Sequence, residues 1–145
     1  TLWLLGKIKN LTEQGPMSNR LVASGNKIEV IMLSKDAILN SDDCKTIELD
    51  VPEWGGSVRL QAMSGFARDR FESSIIGKNG GVNTVNIRAK LAAACIVDEQ
   101  NKLMFSDDEI LKLGNKSAKA LDRIFSEAQK LNGMGDKEIE ALAKN

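Results

Sequence analysis

The residues able to do chemistry are few, and their spacing argues against most uses. Histidine is absent, which removes Ser-His-Asp and Cys-His catalysis and every zinc site built on imidazole. Cys44 and Cys95 lie far apart and form no C-x-x-C pair, so neither a structural zinc nor a thioredoxin-type centre is expected, and both thiols read as reduced. Cys95, set between Ala92-Ala93-Ala94 and Ile96-Val97, reads as a small buried hydrophobe with no imidazole to ionise it. Gly77-Lys78-Asn79-Gly80-Gly81 is glycine-rich, but a phosphate loop needs its lysine after the glycines and a Ser or Thr after the lysine, so this segment reads as a connector. The acidic Asp107-Asp108-Glu109 follows Ser106, where a capping box and the helix dipole already account for carboxylates. Neither it nor Asp42-Asp43 has the spacing of a calcium loop. No catalytic, cofactor-binding or metal-ligating residue is therefore predicted, and no cofactor. Trp54 is the exception of interest. It stands in Pro52-Glu53-Trp54-Gly55-Gly56, where it either folds back on the core or is offered to a partner, the setting in which tryptophan is enriched.

The elements that must position these residues are legible from periodicity. Lys27–Leu33 alternates as a strand, and Ser34 caps a short helical turn over Lys35–Leu39. Ile47, Leu49 and Val51 share one face and Val58, Leu60 and Ala62 another, each set opposed by polar residues, which predicts two strands packed on one side. The five residues from Pro52 to Gly56 join them as an antiparallel hairpin. Ser64 caps a helix over Gly65–Ile76 with Ala67, Phe71 and Ile75 inward; a second helix runs from Thr84 to Ala94 with Ile87, Leu91 and Ala94 on one side. Residues 95–105 read as a small second hairpin or an extended turn. A short helix after the Ser106 cap ends near Gly114. The strongest helix follows Ser117, with Ala120, Leu121, Ile124, Phe125, Ala128 and Leu131 in one stripe and an Arg123–Glu127 pair on the other side. A last helix over Asp136–Lys144 carries Ile139 and Leu142.

Composition bounds the class. The chain has 145 residues, 42% apolar and 28% charged, enough for an ordinary core and too apolar for wholesale disorder. Twenty basic residues balance twenty acidic ones without a basic cluster, so no nucleic-acid partner is expected. No apolar run approaches the ~20 residues of a membrane span, and Leu2-Trp3-Leu4-Leu5 meets Lys7 and Lys9 too soon for a signal segment. The expectation is a soluble, cytoplasmic α+β protein: a small N-terminal antiparallel sheet followed by packed C-terminal helices. Met17-Ser18-Asn19-Arg20 reads as a start, so residues 1–16 read as an extension or leader, with a genuine N-terminal helix as the alternative. Residues 17–145 then form one domain, β-rich to about 63 and mainly helical after it.

The order of these segments resembles one family. Pro52 through Gly65 is similar to the D-x-P-x-W-G-G-x-V stretch, with its closing Ser/Thr-Gly, of tailed-phage tail assembly chaperones. Arg88–Leu91, Cys95–Asp98, Leu103–Asp107 and the helix Lys116–Asn132 follow in that family's order, so the likeness spans about Lys45 to the C-terminus. The resemblance implies a non-enzymatic protein that binds and solubilises the tape measure protein and helps recruit tail tube subunits. It also implies work in the host cytoplasm and absence from the mature virion. Homo-oligomers are compatible with this reading. Trp54, Ile139 and Leu142 are its candidate partner-binding residues, since amphipathic helices bind through apolar grooves. Two alternatives stand beside it: a permanent virion component such as a head–tail connector or tail terminator, and a small enzyme using the carboxylates of residues 107–109.

Overall fold

The computed structural model describes residues 21–24, 27–135 and 137. The expectations for residues 1–16, Ile139 and Leu142 lie outside the described residues. The chain divides into two units, Thr1–Asp43 and Cys44–Asn145. In the first, β1 (Leu21–Ser24) and β2 (Lys27–Val30) pair antiparallel, from Leu21 opposite Val30 to Ser24 opposite Lys27. The predicted strand to Leu33 is shorter than its alternation suggests. Its ladder ends at Val30, and no described residue pairs with Ile31 to Leu33. The helical turn α1 (Lys35–Leu39) forms where expected, with the Ser34 hydroxyl accepting from the Ala37 N–H at 3.1 Å.

The second unit holds the core. β3 (Thr46–Val51) and β4 (Gly56–Gln61) are antiparallel, from Thr46 opposite Gln61 to Val51 opposite Gly56. Ile47, Leu49, Val51, Val58 and Leu60 turn inward as their alternation demands, and Val51 and Leu60 are fully buried. Because Gly56 belongs to the ladder, the loop is one residue shorter than predicted: Pro52–Trp54 form a tight 3-10 turn closed by Gly55. Gly55 has φ +73°, a left-handed backbone that a Cβ would strain, and its N–H donates to the Pro52 carbonyl at 3.1 Å.

The third strand of this sheet arrives late. After α2 (Gly65–Ile75) and α3 (Ile87–Cys95), the two residues of β5 (Ile96–Val97) pair antiparallel with β4. Residues 95–105 then reverse as a tight turn. The Asp98 N–H donates to the Lys102 carbonyl at 2.8 Å, and the Asp98 carboxylate accepts from the Gln100 and Lys102 N–H groups. The α3 helix is the hub of the unit, packed against α2, α4 (Ile110–Gly114) and α5 (Ala118–Leu131). Its Ala89, Ala92 and Ala93 are buried along with Ile87, Leu91 and Cys95, and small side chains let neighbouring helices approach from several directions. The helix starts at Ile87 rather than Thr84 because Asn86 is left-handed at φ 59°. The Asn86 amide donates to the Ile110 carbonyl at 3.4 Å and occupies the space a Cβ on residue 114 would need, so that position is glycine. On α5 the predicted stripe faces inward: Ala120, Leu121, Ile124 and Ala128 are buried, with Phe125 and Leu131 packed at their edge. The α+β class read from the sequence is the class observed, with a three-stranded antiparallel sheet and packed helices.

Candidate functional site

The glycine segment, Asp107, Glu109 and Cys95 each have an ordinary structural explanation. The glycine segment closes on itself: the Gly77 N–H donates to the Gly81 carbonyl at 2.6 Å and the Gly80 N–H to the Gly77 carbonyl at 3.0 Å. Those two amides are consumed inside the loop rather than aimed at a ligand. The Glu109 carboxylate accepts from the Ser106 N–H at 3.1 Å and hydroxyl at 3.0 Å, completing the capping box. These bonds hold the Glu109 carboxyl below the usual range. Asp107 pairs with Arg70 at 2.7 Å. Among the described residues no group of three or more His, Cys, Asp or Glu is placed to hold a metal ion. The Cys95 thiol is fully buried, and desolvation pushes it up to about 11, the opposite of the depression a nucleophilic thiolate requires. The Asn132 amide donates to the Cys95 Sγ at 3.4 Å. Among the described residues no helix is long and apolar enough to cross a membrane.

Trp54 lies outside the buried core and is 37% exposed. It walls a groove of about 380 Å³ lined by Phe105, Glu109, Lys112, Leu113 and Lys116. Three segments build this groove. The β3–β4 turn brings Trp54, the strand exit after β5 brings Phe105, and α4 with the residue run behind it brings Glu109 to Lys116. Leu113, only 4% exposed, anchors the floor to the core. The tryptophan turn is held in place by its neighbour: Arg123 of α5 donates to both Glu53 carboxylate oxygens, at 2.9 and 3.4 Å. This fork lowers the Glu53 carboxyl, with a smaller contribution from Lys119, and the same carboxylate raises the Arg123 guanidinium. The expected Arg123–Glu127 pair does not form. Arg123 turns to the hairpin instead, and Glu127 takes Lys130 at 3.1 Å.

A second depression of about 290 Å³ lies between α2, α3 and residues 103–110, and Phe105 borders it too. Its apolar lining includes Phe71, Ala93 and Leu103. Its charges are already engaged, Arg70 with Asp107 and Lys90 with the Ser74 carbonyl at 3.0 Å. Sequence reasoning singled out Trp54 but missed Phe105, Lys112, Leu113 and Lys116. The only signal for them was the i, i+4 spacing of two lysines around an apolar residue, which looks like any solvated helix face.

No family model matches the sequence, and no curated protein matches it. Among solved structures the chain is similar to the structure of the bacteriophage HK97 tail assembly chaperone, with a TM-score of 0.51 and 21% identity. The match covers 70% of this chain and 95% of that one. At this identity the likeness is one of fold.

Proposed function

We propose that this protein is a tail assembly chaperone of a tailed bacteriophage or prophage. It binds the tape measure protein, keeps it in solution and helps recruit tail tube subunits, then leaves the assembly. It works in the host cytoplasm, without a cofactor and without catalysing a reaction. The observation that carries this reading is the fold likeness that takes in 95% of the HK97 chaperone. The segment order from Pro52 to Asn132 supports it as well, because it resembles the same family. A half-open tryptophan groove on a rigid hairpin suits a protein that works by contact.

Deleting the gene from the encoding phage or prophage tests the reading. The expected result is filled heads without tails, restored when the gene is supplied on a plasmid, and purified virions in which mass spectrometry finds none of this chain. Its presence in mature particles at a fixed copy number would favour the connector or terminator reading instead.

A further inference from the structure

We infer that the groove walled by Trp54, Phe105 and Leu113 takes an apolar helical segment flanked by carboxylates, and that Lys112 and Lys116 receive those carboxylates. The inference rests on the function proposed above, with the tape measure protein supplying the segment. Its basis is the charge left over at this groove. Lys112 and Lys116 are exposed, and neither has an ion-pair partner among the described residues. Two carboxylates beside the groove are hydrogen-bonded within the fold, Glu109 to the Ser106 N–H and hydroxyl and Glu53 to Arg123, and Lys112 also acts on the Glu109 carboxyl. Lys119 stands close enough to Glu53 to act on its carboxyl. Lys112 and Lys116 against Glu109 leave the lining of the apolar slot with one more cation than anion, in a chain with no net charge.

The second depression lacks this feature, since its arginine and lysine are already satisfied within the fold. A partner carboxylate there would have to displace an existing pair; at the tryptophan groove neither lysine has an ion pair to give up among the described residues. Lysine stems also extend the apolar wall while their ammonium groups stay wet. The matching ligand is an amphipathic helix with one bulky apolar residue for the slot and acidic residues three or four positions away, which share its face. Charge at such a rim sets the encounter rate and selects the partner, and burial of the apolar residue sets the lifetime.

The test uses the full chain co-expressed with the tape measure protein of the same genome. Wild-type protein should co-purify with it. K112E/K116E should lose roughly tenfold or more of the recovered complex, and K112Q/K116Q should lose an intermediate amount. K45E/K78E, which changes net charge equally at exposed positions outside the lining of the groove, should lose none. Raising salt from about 0.1 to about 0.5 M should narrow the gap between wild type and K112Q/K116Q, because the Debye length falls below the reach of the pair. Circular dichroism checks that each variant is folded; the neutral pair, which carries no new repulsion, decides the question should the reversed pair not fold. Full binding by both lysine pairs would overturn the groove while leaving the chaperone reading intact. Failure of the wild type to bind would overturn both. Self-association of the isolated chain that K112E/K116E abolishes, with tape measure binding unchanged, would assign the groove to a second copy and also overturn the inference.

Discussion

Asn132 closes α5 and ties three other segments to it. Its side-chain oxygen accepts from the Met63 N–H at 2.7 Å, and its amide donates to the Ala128 carbonyl at 2.8 Å and reaches Cys95 Sγ at 3.4 Å. Its own carbonyl accepts from Arg68 at 3.2 Å. Asn132→Ala strips the partly buried Met63 N–H of its acceptor, so a loss of about 2 kcal/mol is expected. That loss should appear as a lower urea midpoint with an unchanged slope. Cys95 makes a second prediction. Burial raises its folded value to about 11, above that of the unfolded thiol, so the unfolded state releases its proton first. The contribution is therefore fully present below about pH 8.5 and is lost as pH rises toward 11. Urea midpoints measured from pH 7 to 10.5 should fall more steeply for wild type than for Cys95→Ala, which has no thiol to ionise. The sequence foresaw Cys95 as inert packing because its neighbours are all small or apolar. It did not foresee Asn132, whose partners outside α5 are 37 to 69 positions away; an asparagine before glycine looks only like a helix stop.

At the scale of elements, periodicity was a reliable guide wherever an element's own sequence determines its buried face. The β3–β4 hairpin, the Ser34, Ser64 and Ser117 caps and the α5 stripe all lie where alternation or the 3.6-residue repeat puts them. Ile124 is fully buried in that stripe, so Ile124→Ala should cost about 3 kcal/mol, against less than about 0.5 kcal/mol for the exposed Lys119→Ala. Thermal melts of the two variants side by side would check the contrast. Where an element depends on a partner distant in sequence, the reading was weaker. Two residues are too few to display alternation, so β5 emerges only when β4 is beside it. The start of α3 is set by Asn86 packing against Gly114, 28 positions away by subtraction of their numbers. Gly114→Ala should accordingly destabilise by about 1 to 3 kcal/mol, and Asn86→Gly, which keeps the left-handed backbone and vacates the space, should rescue part of that loss.

For the whole molecule, charge balance, the missing histidine and the order of segments lead to the expectation of a protein that acts by contact, with the tryptophan groove as the proposed place of that contact. Trp54 was visible as a candidate because tryptophan on a tight turn is conspicuous. Phe105, Leu113 and the two lysines join it only through tertiary folding, so no local pattern could have gathered them. Among the described residues the buried core runs from Val51 to Met134, within the unit that begins at Cys44. A chain starting there should fold cooperatively, with one unfolding transition seen alike by fluorescence of Trp54 and by circular dichroism. The central claim is that this protein holds another protein in solution. Its most direct test is the soluble fraction of the same-genome tape measure protein expressed with and without this chain. The account predicts that the tape measure protein pellets when expressed alone and elutes with this chain as one soluble species when co-expressed. A tape measure protein equally insoluble in both conditions, with this chain eluting apart from it, would contradict the account.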